Sequence, residues 1–233
     1  MERKSRVLTA VSLAEARQQL LPLIRTTKRG ARYVITQHGR PEAVVLGADE
    51  YFAAAVPPRS IGAVVLVASG GRKRSPVAPA AVAGLCRRLL QVGLAPVVVV
   101  TDAGNKKLQA ALTELEVAVT FTGSDNTGFS SSLKRGVRFA APWCGALLVL
   151  FASMPEVSEA TLRQLLAAWR QDQRGIIVPE YDGRRGHPLL FAAAYAKELL
   201  TLDPRWGLLP FMRKQRAAIR TVAVRDPNVL RRR

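Results

Sequence analysis

The sequence predicts a small α+β unit followed by a larger, doubly wound α/β unit. Its 233 residues are enough for one large or two modest units. A Pro57-Pro58 pair follows a short helical stretch, and such a pair is typical of a linker. Beyond it, apolar runs of the length of buried strands alternate with helical stretches, which is the pattern of a doubly wound sheet. We therefore place the units at residues 1–56 and 61–233, with a linker at residues 57–60.

The composition narrows the possible function classes. A hydrophobic fraction of 48% is sufficient for two buried cores. No apolar run reaches the roughly 18 residues of a spanning helix, and the charged start of the chain leads into no signal core. Cys86 and Cys144 lie far apart without a metal-ligand pattern, so we expect two reduced thiols and no structural metal. The expected protein is cytoplasmic, with no membrane partner.

The formal net charge of +18 is the strongest compositional signal. Both predicted units are basic, and a basic field attracts polyanions such as DNA, RNA and nucleoside phosphates. An arginine-rich composition inherited from a GC-rich genome would give the same charge without a function. The charge alone therefore indicates attraction to phosphate and not recognition of a base sequence.

The first unit begins with a predicted strand over residues 6–10. Ser12 and Glu15 have the spacing of a capping box, in which each side chain satisfies a backbone N–H at the start of a helix. Pro22 interrupts the apolar spacing that follows, so we predict two short helices, the second starting at Pro22. Gly30, which follows two cations, ends this second helix.

Two β-rich runs follow at residues 32–36 and 42–46. The glycine-containing segment between them predicts a hairpin, in which His38 is a turn residue rather than a catalytic base. A last short helix is predicted over residues 48–55, which completes a βααββα order.

Three segments of this unit resemble the Phd/YefM antitoxin family: Ala16-Arg-Gln-Gln-Leu20, Gly30-Ala-Arg-Tyr-Val-Ile-Thr-Gln-His-Gly-Arg-Pro41 and Glu50-Tyr51. The resemblance implies a dimerisation domain that binds operator DNA through a basic face. The matching DNA-binding candidates are Arg17 and Arg6, which would contact phosphates. Alternatively, Arg17 belongs with Lys28 and Arg29 to a solvated helix face. The flexible tail with which an antitoxin neutralises its toxin is replaced here by a whole domain.

The second unit is predicted to alternate strands and helices along most of its length. The predicted strands cover residues 61–68, 95–102, 117–121, 145–151 and 175–179. The predicted helices cover residues 79–92, 106–115, 130–139 and 158–171. In doubly wound sheets, ligands bind beyond the carboxyl ends of strands, which points to the loops after Ala68, Asp102 and Phe151.

The loop after the first of these strands is rich in glycine and basic residues. Backbone N–H groups of such a loop can wrap phosphates while its cations neutralise charge. The loop matches neither the Walker nor the GxGxxG pattern, so a solvated turn is the alternative interpretation. The nucleotide-binding candidates are Ala68, Ser69, Gly70, Gly71, Arg72 and Lys73.

Three later segments together resemble the MobA-like nucleotidyltransferases, most closely the molybdenum cofactor cytidylyltransferase type: Asn126-Thr-Gly-Phe-Ser-Ser-Ser-Leu133, Leu148-Val-Leu-Phe-Ala-Ser-Met-Pro155 and Val178-Pro-Glu-Tyr-Asp-Gly-Arg-Arg-Gly-His-Pro-Leu-Leu-Phe191. The resemblance implies a Rossmann-like GT-A sheet. It also implies transfer of a nucleoside monophosphate from CTP or GTP, with Mg²⁺, to a pterin phosphate. By position, it implies substrate-binding roles for Ser130, Ser131, Ser132, Gly186, His187 and Pro188. For His187, a loop histidine with satisfied hydrogen bonds is the competing interpretation.

This chain departs from the family pattern where the family binds phosphate and metal. Ser69 replaces the key glycine of the phosphate loop, and the lysine that would hold the triphosphate is missing. Ser153 replaces the aspartate that binds Mg²⁺ in the family, and a neutral hydroxyl is a poor Mg²⁺ ligand beside a carboxylate. We also expect the second acidic motif to be missing, because the sequence ends shortly after Asp226. The sequence therefore predicts a pseudoenzyme without a metal site.

Three functions stay open at this point. The first is a DNA-binding regulator whose large unit senses a nucleotide or a pterin. The second is a divergent nucleotidyltransferase of molybdenum cofactor maturation, joined to a dimerising module. The third is an interaction protein whose ancestral pocket is empty.

Overall fold

The structure is a computed structural model that describes residues 7–57, 59–67, 77–122, 128–154 and 156–231. The chain divides into two compact units, residues 1–57 and residues 58–233. Within the described residues, none of the helices has the length and apolar character needed to cross a membrane.

The small unit contains a three-stranded sheet and three short helices in the predicted βααββα order. Its elements are β1 (Leu8–Ser12), α1 (Leu13–Gln18), α2 (Leu20–Thr27), β2 (Arg32–Gln37), β3 (Arg40–Val45) and α3 (Ala48–Ala55). The sheet order is β1-β2-β3, with β1 parallel and β3 antiparallel to the central β2. The first strand lies two residues later than predicted, because its parallel register with β2 runs from Leu8 to Ser12.

The capping box at the start of α1 is confirmed. The Ser12 hydroxyl accepts the Glu15 N–H, and the Glu15 carboxylate accepts the Ser12 N–H at 2.8 Å. The prediction that α2 starts at Pro22 is wrong, since α2 begins at Leu20. Proline is tolerated as the third residue of a helix, because the first N–H groups of a helix have no intrahelical partner.

The predicted hairpin is present, with a tighter turn than expected. Only His38 and Gly39 separate β2 from β3, and both have positive φ angles, 50° and 74°. Two consecutive residues of this conformation match the twist of a two-residue hairpin. His38 is therefore a turn residue, as predicted.

The large unit is built on one mixed sheet in the order β11-β8-β10-β7-β4-β5-β6, with the short β9 paired to β8. Its strands are β4 (Ile61–Leu66), β5 (Val97–Asp102), β6 (Val117–Thr122), β7 (Ala146–Phe151), β8 (Ile176–Tyr181), β9 (Arg184–Arg185), β10 (Leu189–Ala192) and β11 (Ile219–Ala223). Its α-helices are α4 (Pro79–Gln91), α5 (Lys106–Leu112), α6 (Phe129–Ala140), α7 (Glu159–Asp172), α8 (Ala196–Leu200) and α9 (Leu209–Lys214). Short 3₁₀ turns cover Ala141–Trp143, Ala193–Tyr195, Arg216–Ala218 and Pro227–Leu230.

The predicted α/β alternation is confirmed, and the sheet adds strands that the sequence did not predict. β4, β5, β6 and β7 run parallel to one another, as expected for a doubly wound sheet. β10 is inserted antiparallel between β7 and β8, and β11 extends the sheet parallel to β8. Helix α5 is shorter than predicted and ends at Leu112 instead of residue 115.

The central strand β4 is buried on both faces. Ala63 and Val65 face one core cluster, which is covered by α4 and α7, whereas Val64 and Leu66 face the other, which is covered by α6. Burial on both faces explains why this strand appears in the sequence as a continuous apolar run. The core therefore holds the carboxyl ends of the central strands in fixed positions.

The two cysteines are free thiols in this core. Burial raises the pKa of Cys86 to about 12 and that of Cys144 to about 11. Thiols with such pKa values carry almost no thiolate at neutral pH, so neither is a reactive nucleophile.

Helix α6 approaches the sheet most closely at Gly136. A Cβ atom at this position would overlap Val64 Cγ1 and lie 3.1 Å from Val100 Cγ2. We expect Gly136→Ala to lower the free energy of unfolding by about 1–3 kcal/mol, because overpacking a dense core forces neighbouring groups to move. Chemical denaturation of the full chain measures this loss.

The matched control is Gly84→Ala in α4, where no atom lies within 4 Å of the added Cβ. This substitution should stabilise the large unit by about 0.5–1 kcal/mol, because alanine loses less backbone entropy in a helix. Equal effects of the two substitutions would contradict the close approach at Gly136.

Candidate functional site

The carboxyl ends of the parallel strands lie along one edge of the large sheet, which we call the carboxyl edge. Phe151, the last residue of β7, borders a cleft at this edge. The loop after Asp102 instead caps α5, since the Asn105 side chain accepts the Leu108 N–H at 3.2 Å. The predicted nucleotide-phosphate loop lies outside the described residues, with all of its candidates: Ala68, Ser69, Gly70, Gly71, Arg72 and Lys73.

The cleft beside Phe151 has a volume of about 500 Å³ and is mainly apolar. It is formed by the end of β7, the start of α6, the β8–β9 hairpin and the segment that leads into α9. Its lining residues are Phe129, Phe151, Val178, Arg185, Gly186, His187, Leu189, Trp206, Gly207, Leu208, Leu209 and Met212.

Aromatic side chains dominate this cleft, which we call the aromatic cleft. The Phe151 ring lies 5.6 Å from the Phe129 ring and 5.3 Å from the His187 ring, measured between centroids. Trp206 at the rim keeps 64% of its surface exposed. Arg185, also exposed, is the cation among the lining residues. The arrangement suits a planar ring that carries an anionic group.

The segment predicted to bind the acceptor substrate is held in place by its backbone. The Gly186 N–H donates to the Pro179 carbonyl and the His187 N–H donates to the Val229 carbonyl, both at 2.8 Å. A Cβ at position 186 would lie 2.5 Å from the Val229 oxygen, so the close approach requires glycine. Gly186 and His187 line the aromatic cleft, whereas the buried Pro188 lies behind them.

The three predicted serines occupy the first turn of α6, and they are not equivalent. The hydroxyls of Ser131 and Ser132 donate to the Gly128 carbonyl, at 2.8 Å and 3.3 Å. The Ser130 hydroxyl is buried, and among the described residues it has no hydrogen-bond partner. Phe129, rather than any of the serines, is the residue of this turn that lines the aromatic cleft.

Ser153, where the resemblance implies a metal-binding aspartate, lies half-buried in the turn after β7. No group of three His, Cys, Asp or Glu side chains that could hold a metal occurs within the described residues. Mg²⁺ prefers charged oxygen ligands. Position 153 therefore offers a neutral hydroxyl where the resemblance implies a carboxylate.

Asp226, the acid that follows β11, has a structural role. Its carboxylate accepts the Ser158 N–H at 2.8 Å, the Thr161 hydroxyl at 3.0 Å and the Asn228 N–H at 3.0 Å. Burial by itself raises the pKa of Asp226, but the hydrogen bonds from Ser158, Asn228 and Thr161 outweigh burial, so the net pKa is lowered. These bonds fix the start of α7.

Trp206, Leu209 and Met212 were not predicted from the sequence as site residues. Trp206 lies between α8 and α9, and the other two residues belong to α9. This stretch of the sequence has no motif and no regular apolar spacing. The available signal was the residue type at Trp206, because tryptophan is enriched at binding surfaces.

In the small unit, Arg17 lies exposed in the last turn of α1. Its guanidinium is therefore accessible to a phosphate, as a DNA contact requires. Arg6, the other DNA-binding candidate, lies outside the described residues.

Two family models match the chain in separate segments. The model of the MobA-like NTP transferase domain matches residues 80–219. The model of the Phd/YefM antitoxin of type II toxin–antitoxin systems matches residues 9–54. No curated protein matches the sequence significantly.

Several solved structures share the fold of the large unit. The Mycobacterium tuberculosis H37Rv protein Rv0371c is 20% identical with a TM-score of 0.62, over 72% of this chain and 89% of that one. A nucleotidyl transferase from Methanothermobacter is 22% identical with a TM-score of 0.59, over 72% of this chain and 88% of that one. The 4-diphosphocytidyl-2C-methyl-D-erythritol synthase of Anaerococcus prevotii is 12% identical with a TM-score of 0.55, over 75% and 90%.

Replacing Asp226 tests its structural role. We expect Asp226→Asn to lower the free energy of unfolding at pH 7 by about 1.5–3 kcal/mol, the usual contribution of hydrogen bonds to a charged group. A folded-state pKa below the unfolded value of about 4 means that the ionised carboxylate stabilises the fold above that pH. This stabilisation is lost as the pH falls through the lower folded pKa, so the variant should show a weaker loss of stability in acid.

Denaturation curves between pH 7 and pH 2 measure both effects. The control is Asp172→Asn, an exposed carboxylate for which we expect a change within about 0.5 kcal/mol. A variant at Asp226 that keeps the wild-type stability and acid dependence would show that the carboxylate does not hold the loop.

Proposed function

Because the chain belongs to the MobA-like NTP transferase family and carries a Phd/YefM antitoxin domain before it, we propose that it is a ligand-sensing regulator. In this proposal, the large unit binds a nucleotide or a pterin without metal-dependent transfer. The small unit forms a homodimer and binds DNA. The observation that carries the proposal is the aromatic cleft. It lies next to the turn at Ser153, where the family resemblance implies a metal-binding aspartate.

The aromatic cleft supports binding of a planar heteroaromatic ligand. Phe151 at its centre is flanked by Phe129 and His187, and Trp206 offers an exposed ring at the rim. Stacking on such rings favours a flat base or pterin, while Arg185 is placed to pair with a phosphate. CTP, GTP and ATP are therefore the first ligands to test.

The turn after β7 argues against catalysis by metal. Nucleotidyl transfer depends on positioning and on neutralising charge, chiefly by a metal that bridges the phosphates. Ser153 offers a neutral hydroxyl, and the Asp226 carboxylate accepts three hydrogen bonds from protein groups. A structure of Rv0371c has been determined in complex with manganese, so both magnesium and manganese belong in the experiment.

The surface of the small unit supports self-association. Within its described residues, the buried hydrophobic residues are Ala16, Leu23 and Val56. Its exposed large hydrophobic residues are more numerous: Val7, Leu8, Leu13, Leu20, Leu21, Ile24, Val44 and Tyr51. So small a core with so much exposed apolar surface is typical of a unit that is completed by a partner. A second copy of the chain is the partner that we propose.

Tryptophan fluorescence tests ligand binding at the cleft directly. We expect CTP, GTP or ATP to quench the fluorescence of Trp206 in a saturable way without magnesium or manganese, and no pyrophosphate to be released. Trp206→Phe should remove the signal while thermal stabilisation by the ligand persists, because the other tryptophans lie outside the cleft. Binding that requires metal, together with pyrophosphate release, would instead identify a working transferase.

A pair of substitutions at Ser153 extends this experiment. Ser153→Asp should introduce a metal dependence of nucleotide affinity, because it supplies the carboxylate that Mg²⁺ requires. Ser153→Ala should leave the affinity and its metal independence unchanged. Identical behaviour of the two variants would show that position 153 does not face the nucleotide phosphates.

The role of the small unit in DNA binding is tested at Arg17. We expect Arg17→Ala to weaken binding to a DNA duplex and to reduce the salt slope by about 1, as the loss of one phosphate contact does. Fluorescence anisotropy at several salt concentrations measures both. Arg29→Ala is the control on the same unit, and equal losses in the two variants would indicate a general charge effect rather than a contact at Arg17.

A further inference from the structure

The edge of the large sheet opposite the aromatic cleft carries an unusual concentration of arginines. The central strands are parallel, so the residues that precede them, and the last turns of the helices that lead back to them, lie along one edge. We call this the amino edge. Its arginines are Arg59, Arg87, Arg88, Arg138, Arg170, Arg174, Arg213 and Arg216, and its acids are Glu114, Glu116 and Asp172.

A cavity of about 590 Å³ lies at the centre of this edge, between the end of α7 and the starts of β4 and β7. Three of its lining residues are Arg59, Arg170 and Arg174, and its acidic lining residue is Asp172. The floor includes the buried Trp169. The cavity therefore presents three guanidinium groups against one carboxylate.

The chain at Arg59 is fixed by its neighbours. The Gly145 N–H donates to the Ser60 carbonyl at 2.9 Å, which ties the segment before β4 to the start of β7. Arg59 itself has a φ of 59°, a conformation that an arginine adopts only when the surroundings impose it. The fold thus places this side chain beside Arg170 and Arg174.

The amino-edge arginines are not neutralised by acids. The ion pairs among the described residues involve other cations, such as Arg163 with Glu159, Arg205 with Asp203 and Arg231 with Glu156. The negative end of the α7 dipole stabilises the positive charge of Arg170, whereas Arg59 and Arg174 lie outside any helix. Like charges held together without partners repel one another, and this cost is relieved when an anion binds.

We propose that the amino edge binds the phosphodiester backbone of nucleic acid, with Arg59, Arg170 and Arg174 at the centre of the contact. Arginine is suited to this, because its planar guanidinium pairs with two phosphate oxygens. Arg88, Arg138 and Arg216 extend the positive charge beyond the cavity, which matches a polymer of spaced phosphates rather than one free phosphate. The site is separate from the DNA contact proposed for the small unit and reads no bases.

The test uses the full chain and a short, labelled duplex of mixed sequence. The variant Arg59→Gln/Arg170→Gln/Arg174→Gln should bind about tenfold or more weakly at low salt, and its salt slope should fall by about 2–3, since each lost phosphate contact removes about 0.9. Lys106→Gln/Lys107→Gln/Arg135→Gln is the control, because it removes the same charge from exposed, unpaired positions among the described residues elsewhere on the unit. Its affinity should fall less than threefold.

Equal losses in the two triple variants, or no loss in either, would overturn the proposal. Displacement of the duplex by inorganic phosphate at constant ionic strength would also overturn it, because the cavity would then be a site for a small anion. Thermal unfolding shows whether the triple variant is folded. If it is not, Arg174→Gln alone should reduce the salt slope by about 1, and an unchanged slope would overturn the proposal.

The result is distinguishable from failure of the proposed function. Quenching of Trp206 by nucleotide should be the same in the amino-edge variant as in the wild type. An unchanged affinity of the Arg17→Ala variant would contradict the DNA contact proposed for the small unit, but not the one proposed for the amino edge.

Discussion

The parallel pairing of β4 with β7, buried on both faces, is the constraint on which the rest of the large unit depends. It brings the turn at Ser153 to the carboxyl edge and the segment at Arg59 to the amino edge. The close approach at Gly136 packs α6 on Val64 of β4 and Val100 of β5, and Phe129 at the start of this helix lies beside Phe151. One packing arrangement thus creates an apolar, ring-lined edge and an opposite edge rich in unneutralised cations.

The chemistry of the carboxyl edge depends on which oxygen atoms are available to bind a metal. The family resemblance implies a metal-binding aspartate at the turn after β7, because hard cations prefer charged oxygen ligands. Here that turn offers Ser153, while the Asp226 carboxylate is used to bind the start of α7. Position 153 thus offers a hydroxyl, Asp226 stabilises the fold, and the aromatic cleft lies beside the turn at Ser153. This distribution of groups supports the proposal that the large unit binds a ligand without transferring a nucleotide.

The sequence predicted the elements whose signals are local. The Ser12–Glu15 capping box and the turn at His38 and Gly39 depend on neighbouring residues, and the apolar runs of the central strands are long enough to be unambiguous. It did not predict β10, because four buried residues carry no period and no indication of strand direction. It also did not predict Trp206 at the cleft, because the position of that loop depends on how α8 and α9 pack on the sheet. Family resemblance supplied Gly186 and His187, which no local pattern would have selected.

The wall of the aromatic cleft depends on contacts between distant parts of the chain. The Asp226 carboxylate accepts the N–H of Ser158, which lies 68 positions earlier in the sequence, and the Val229 carbonyl accepts the His187 N–H. The Val229 carbonyl holds His187, which lines the cleft, so this wall has its final shape only when the segment after β11 is packed in place. A ligand that binds the complete cleft more tightly than the incomplete one would therefore stabilise the packing of that segment.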